Sequence, residues 1–339
     1  MEKVAKRILF VSPGVASFED YTVPDPGEGE VRVKIEVSSL SSGTERANLK
    51  GDRSTSWKRG ETDPVFPKFV GGYSSAGIVE SVGAGVEGLA EGDRVSLSWS
   101  KYGRLLNVAA KNVYKIGVVP FEDAALFHIA TFPMAAIRKC RLEIGESAVV
   151  MGLGVLGLAA VQLLKAAGAV PVVAVDPDPS KREKALSSGA DLAFDPFDPD
   201  FAEKVKAATD GGCRVGIEVT GRGEGLNGIL DVMACFGRVA LLGCTRDKNF
   251  TVDYYRKVHG PGISLIGAHT DARPKVESSP GLWTQKDDVE ALKKLTLGGR
   301  IRLSSLVDET HSPADAPAVF ERLVREPVFP VVQFDWRSI

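Results

Sequence analysis

Two textures of apolar spacing run along the chain. Up to about residue 120, apolar side chains recur at alternate positions in short runs broken by glycine and proline. "AKRILFVS", "EVRVKIEVSSL", "SAGIVESVG", "GDRVSLS", "GRLLNVAA" and "NVYKIG" each read as a short strand, and "PDPGEGE" reads as a turn. Many short strands with frequent turns predict a small, irregular β-barrel. "VSSLSSGTERANLKG" (residues 37–51) reads as a strand end entering a polar turn. Residues 49–68 are polar, hold two prolines and show no period, so they read as a long loop.

From "EDAALFHIATFPMAAIRKC" onward the spacing turns helical and then alternates. "GESAVVMG", "AVPVVAVD", "ADLAFD", "RVGIEVTG", "RVALLG" and "ISLIGAH" read as strands. "VLGLAAVQLLKAAG", "SKREKALSSG", "FAEKVKAATDG", "GLNGILDVMACFG" and "KDDVEALKKLTLGG" read as helices between them. Strand and helix alternating at this spacing predict a doubly wound parallel sheet. The tail adds a helix, "SPADAPAVFERLVRE", with Ser312 as cap and Pro313 in its first turn, and a strand, "FPVVQFDW". The longest apolar stretch, Ala148 to Leu164, changes period halfway. It is therefore read as strand plus helix and not as a membrane span.

Composition narrows the function classes. The 339 residues suit two domains, and 44% hydrophobic with 25% charged residues is ordinary globular usage. A net charge of -2 gives no electrostatic footprint for nucleic acid or for an acidic membrane surface. Cys140, Cys213, Cys235 and Cys244 form no CxxC pair, which argues against a disulfide framework and a structural zinc. The N-terminus lacks the apolar core of a signal peptide, so a cytoplasmic location is expected.

The strongest chemical signal is "VVMGLGVLGLAAVQLL". Gly152, Gly154 and Gly157 have GxGxxG spacing between a predicted strand and a predicted helix, the setting of a dinucleotide site. Gly152 permits the tight turn, Gly154 leaves room for the pyrophosphate, and Gly157 lets helix and strand approach. Val155 and Leu156 open the helix, whose free amides and dipole face the diphosphate. Asp176 follows at the end of the next strand, about 20 residues on, where a carboxylate accepts from both ribose hydroxyls of NAD and repels the 2′-phosphate of NADP. Lys181 and Arg182 lie downstream, where they would either hold that phosphate or form a solvated helical turn. NAD is the expected cofactor. The later strand ends carry Thr220, Gly221, Gly243, Cys244, Gly267 and His269, and ligands gather at such ends.

With these motifs in hand, the chain resembles the medium-chain dehydrogenase/reductase superfamily, also called the zinc-type alcohol dehydrogenase family. The resemblance runs over nearly the full length. It rests on "GEVRVKIEVSSLSSGTE", "GGYSSAGIVESVGAGVEGLAEGDRV", the glycine loop, "GIEVTG" and "FGRVALLG". It implies a GroES-like catalytic domain (1–122 with 301–339), a Rossmann domain (123–300), a substrate cleft between them, and a homodimer or homotetramer. It also implies that the loops bearing Thr220, Gly243, Cys244, Gly267 and His269 pass the cofactor. The loop's position after a β-rich region argues against FAD.

The resemblance fails at the metal. The family's ligand cysteine matches Ser42 in Ser42-Gly43-Thr44-Glu45, its ligand histidine matches Tyr73, its acid matches Ser74, and the third ligand falls at or beside His128. Protonated hydroxyls are poor zinc donors, and one histidine cannot hold zinc tightly. A metal-free protein is expected, with Thr44, Tyr73, His128 and Glu45 as catalytic candidates. Thr44 matches the family's proton-passing hydroxyl, and Tyr73 supplies a phenol. His128 has the most suitable intrinsic pKa, although Phe127 and Ile129 beside it suit a buried histidine equally. Glu45 would orient a neighbour or pair with Arg46. Trp57, Trp99 and Tyr102 are candidate cleft linings. The subfamily motifs "SSGTER" and "GGYSSAGIVESVG" are similar to bacteriochlorophyllide-type and sugar- or cyclitol-related oxidoreductases. The expected activity is interconversion of a secondary alcohol and a ketone on a polyol, cyclitol or sugar derivative. An enone or quinone reductase and a non-catalytic dinucleotide-binding protein are the alternatives.

Overall fold

The structure is a computed structural model describing every residue except Met1, Ser56, Trp57, Arg59 and residues 246–248. Trp57, a candidate cleft residue, thus lies outside the described residues. The chain divides into two compact units, Met1–His128 with Leu303–Ile339, and Ile129–Arg302.

The first unit is β-rich and GroES-like. Among the described residues its main sheet contains seven strands, six on a path from Glu309–His311 through Val332–Asp335, Glu30–Ser39, Ser74–Val82 and Arg94–Ser98 to Val113–Lys115, and a seventh, Leu105–Ala109, paired to Glu30–Ser39 off that path. Nearly all the pairings are antiparallel. Register shifts near Arg32 and near Ile35 bend the long strand, as an irregular barrel requires. The C-terminal strand pairs directly with Val37–Ser39, so the two ends of the chain build one sheet. Trp336 Nε1 donates to Ser38 Oγ at 2.8 Å and Gln333 Nε2 to Ser39 Oγ at 3.0 Å, which fixes that return. Beneath it, Phe320 of helix Ala316–Arg325 meets Phe10 edge-on at 5.0 Å and Tyr102 at 5.7 Å.

The second unit holds a six-stranded parallel sheet, among the described residues, in the spatial order Leu192–Phe194, Val172–Val175, Ala148–Met151, Cys213–Glu218, Met233–Leu241, Ser264–Gly267. This is the doubly wound order of a dinucleotide-binding sheet, and the chain reverses direction across it between Ala148–Met151 and Cys213–Glu218. Ala148–Met151 and Val172–Val175 are buried at every position, because helices cover both faces of a parallel sheet. No helix among the described residues is long and apolar enough to cross a membrane.

Three local readings are corrected. "SSGTER" does not end in a polar turn: Ser42–Lys50 is a helix, closed by Gly51 at φ 72°. Its composition favours a turn, but buried Glu45, Ala47 and Leu49 hold it to the core. "GLNGILDVMACFG" is not one helix. The helix Gly223–Asp231 stops and a strand begins at Met233. The register then jumps from Met233↔Cys213 to Arg238↔Val215, and Phe236 sits at φ 63° inside the irregularity. A further strand, Val15–Val23, pairs with Lys3–Ser12 and escapes pattern reading because its apolar positions do not alternate cleanly.

Candidate active site

In the first unit, the helix Ser42–Lys50 displays Ser42 and Thr44 on its first turn, with Thr44 exposed and Ser42 half-buried. Glu45, one residue on, points inward and is fully buried. Its Oε1 accepts from the Gly72 amide at 2.9 Å and from the Tyr102 hydroxyl at 3.4 Å, while Oε2 has no hydrogen-bond partner. Burial pushes the Glu45 carboxyl up to about 7, against the lowering effect of those two donors. The expected pairing with Arg46 is not made. Arg46 donates instead to the carbonyls of Leu323 at 2.8 Å and Glu326 at 2.7 Å, because the two side chains leave the helix in different directions.

The approach of Glu45 and Tyr102 requires Gly71 and Gly72. Both have positive φ, and a side chain at Gly71 would collide with Glu45, one at Gly72 with the Tyr102 ring. Tyr102 is itself fully buried, so it is a core residue and not a cleft lining. Burial, then the charge of Glu45 and then that of Tyr73, push its phenol well above the ordinary value.

Tyr73, Trp99 and His128 come together as an aromatic cluster. Tyr73 meets His128 edge-on at 5.5 Å, Trp99 meets it at 4.6 Å, and Tyr73 and Trp99 are 6.2 Å apart. His128 is fully buried on helix Phe127–Lys139, and Trp99 is 46% exposed. Trp99 sits at φ 61°, a rare conformation for a bulky residue, with its amide bound to the Tyr73 carbonyl at 2.8 Å. Ser74 is spent on the Ala125 carbonyl at 2.6 Å. The zinc of the resembling family therefore does not fit these residues. The matching positions offer two neutral hydroxyls and one imidazole packed against aromatic rings. Among the described residues no group of three or more His, Cys, Asp or Glu side chains is placed to hold a metal ion.

In the second unit, the glycine loop leaves strand Ala148–Met151 and enters helix Val155–Ala166. Gly152 sits at φ 98°. A Cβ on Gly154, the helix N-cap, would meet nothing within 4 Å, whereas one on Gly157 would strike the Gly152 carbonyl. Val155 is buried and Leu156 half-buried in the first turn. Asp176, 7% exposed, accepts from the Leu153 amide at 2.8 Å through Oδ2 and from the Asp178 amide at 3.0 Å through Oδ1. Lys181 Nζ stands 4.0 Å from Asp176 Oδ2. Arg182 is spent on the carbonyls of Asp176 and Pro177 at 2.7 and 2.8 Å and on Asp195 at 3.3 Å.

Across the reversal point, Thr220 presses its methyl toward Gly152 and its hydroxyl donates to Glu218, as do the amides of Thr220 and Gly221. Gly221, at φ 62°, packs backbone to backbone against Gly243 and Cys244, and Cys244 is exposed. Gly267 accepts from Lys139 Nζ at 2.8 Å. His269 is exposed, and its Nδ1 accepts from the Asp271 amide at 3.1 Å. Sequence reasoning passed over Glu218, a buried acid whose carboxyl is raised by burial and which organises the Thr220 turn. A charged residue inside the apolar run "VGIEV" is the signal that marks it.

Comparison with known proteins adds findings of three kinds: family matches, relatives and a solved structure. Residues 27–117 match the family described as alcohol dehydrogenase GroES-like domain, and residues 155–278 match zinc-binding dehydrogenase. The chain is 24% identical over 338 residues to D-guloside 3-dehydrogenase of Escherichia coli (strain K12), covering 94% of this chain and 96% of that protein. It is 28% identical over 299 residues to L-threonine 3-dehydrogenase of Pyrococcus horikoshii, covering 79% of this chain and 83% of that protein. The fold matches a short chain alcohol dehydrogenase of E. coli CFT073, solved with NADH, at a TM-score of 0.82 and 19% identity, over 98% of this chain and 99% of the other.

Proposed function

The chain belongs to the medium-chain dehydrogenase/reductase superfamily, and from that premise we propose that it is an NAD(H)-dependent, zinc-independent dehydrogenase. It interconverts a secondary alcohol and a ketone on a small polyhydroxy substrate, a polyol, cyclitol or sugar derivative. One combination supports the reading most: a complete dinucleotide-type glycine loop, and Ser42, Tyr73 and His128 at the positions that the family resemblance matches to metal ligands, with Tyr73 and His128 in ring contact. The similarity to a D-guloside 3-dehydrogenase supports the substrate class.

NAD is favoured over NADP by charge and by commitment of donors. Asp176 uses one acceptor site on each oxygen for a backbone amide, and a carboxylate has about four such sites, so room is left for ribose hydroxyls. A 2′-phosphate would meet this carboxylate, and Arg182 is already engaged by two carbonyls and Asp195. The glycine loop and the first turn of Val155–Ala166 would hold the pyrophosphate. When bound, the nicotinamide supplies hydride acceptance and donation.

The chain's own residues have the proton to manage. Exposed Thr44 orients the substrate hydroxyl and passes its proton, in the role a Ser/Thr takes at this position. Tyr73 donates to the developing oxygen in place of a metal Lewis acid. His128, packed behind Tyr73, fixes the ring. The test is absorbance at 340 nm with a panel of polyols, cyclitols and sugars and either NAD⁺ or NADP⁺. The reading expects a rise with NAD⁺ on a secondary alcohol and a rate with NADP⁺ lower by at least about tenfold. A flat trace across the panel, or preference for NADP⁺, contradicts it.

A further inference from the structure

Glu45 is the unusual group in the first unit. It is a carboxylic acid with no solvent exposure and one oxygen without a partner. Such a burial is costly unless the group is hydrogen-bonded or held neutral. The surroundings are built to hold it. Gly71 and Gly72 give up their side chains to let it in, the Gly72 amide and the Tyr102 hydroxyl both point at Oε1, and Tyr102 is locked between Phe320 and Phe334. Glu45 follows Thr44 directly on the helix, and its bond to Gly72 stops one residue short of Tyr73.

We propose that Glu45 and Tyr102 form a buried positioning pair that ties the helix bearing Thr44 to the segment bearing Tyr73 and sets the pH response of the Tyr73 phenol. The inference rests on the dehydrogenase reading above. With Glu45 neutral, the space behind the phenols is uncharged. With Glu45 ionised, a negative charge stands beside Tyr102 and opposes proton release there, the charge of Tyr73 acts on the same phenol, and a charge so placed would oppose proton release by Tyr73 as well. The groups that face Glu45 are Tyr102 and the Gly72 amide, with Tyr73 beyond Tyr102. On its own helix Arg46 is turned away to the Leu323 and Glu326 carbonyls. Glu45 is no link in the path of the substrate proton: it exchanges its own proton with solvent, while Thr44 passes the substrate proton and Tyr73 donates to the substrate oxygen.

The experiment is the pH profile of kcat/KM for ketone reduction in the wild type, Glu45→Gln and Tyr102→Phe. It is paired with infrared difference spectra of the protonated-carboxyl stretch in the cofactor-free protein. The wild type is expected to lose activity through an inflection near pH 7, where burial places Glu45. Glu45→Gln abolishes that inflection, and Tyr102→Phe, which removes a donor to the charged form but keeps the ring, moves it upward. The carboxyl band titrates with the same midpoint in the wild type and is missing in Glu45→Gln. A purely structural Glu45 would lower activity at all pH values alike and leave the inflection in both variants, which overturns the proposal. A titrating band in a protein that turns over no alcohol or ketone supports the buried proton and overturns the dehydrogenase reading instead.

Discussion

At the scale of single residues, the candidate site joins the Tyr73, Trp99 and His128 rings, two of which, with Ser42, fall at positions that the family resemblance matches to metal donors. In the proposed reading, Ser42 and Tyr73 supply no Lewis acidity, and hydrogen bonds take over the task of stabilising charge on oxygen. Glu45 carries a measurable cost. Its carboxyl is raised in the folded protein from 4.5 to about 7, so folding takes up a proton between those values. Stability from this group therefore falls as pH rises from about 4.5 to about 7 and is level above. By urea titration, Glu45→Gln should gain on the wild type by roughly 3 kcal/mol between those limits. A stability difference that does not change with pH would show that Glu45 stays ionised. The residues themselves were partly legible in the sequence. The Ser42 and Tyr73 replacements stand out because they interrupt the donor pattern of the resembling family, in which only His128 keeps a donor side chain. The inward turn of Glu45 and the complete burial of Tyr102 do not, since both depend on Gly71 and Gly72 adopting positive φ.

At the scale of elements, the glycine loop and its flanking strand and helix are the part that local pattern specifies best. The strand is continuously apolar, the helix nearly so, and each glycine answers a steric demand. Gly157→Ala tests that demand, because the added methyl would meet the Gly152 carbonyl, a backbone atom that cannot swing aside. The substitution should destabilise the protein by about 1–3 kcal/mol and weaken NAD binding, measured by denaturant midpoint and by quenching of tryptophan fluorescence. Wild-type stability and affinity in this variant would refute the close approach. The elements that pattern misreads share a cause. Helix Ser42–Lys50 and the strand beginning at Met233 are imposed by partners far along the chain. Arg46 reaches Leu323 and Glu326, and Met233 pairs with Cys213. Local propensity had no access to either contact.

At the scale of the whole molecule, two units share one chain, and the strand Val332–Asp335 returns to the sheet of the first. The alternation of strand and helix from residue 145 to residue 299 made the parallel sheet legible, whereas the GroES-like unit was visible only as many short strands. Its closure depends on pairing residues from opposite ends of the sequence. The account's central claim joins these scales: an alcohol dehydrogenase fold that performs hydride transfer without a metal. The most direct test strips the protein with a zinc chelator, verifies its metal content by mass spectrometry, and measures the rate of NAD⁺ reduction on the best substrate of the panel. The account predicts a rate unchanged by stripping and not raised by added Zn²⁺. Loss of activity on chelation, restored in proportion to bound zinc, would contradict it.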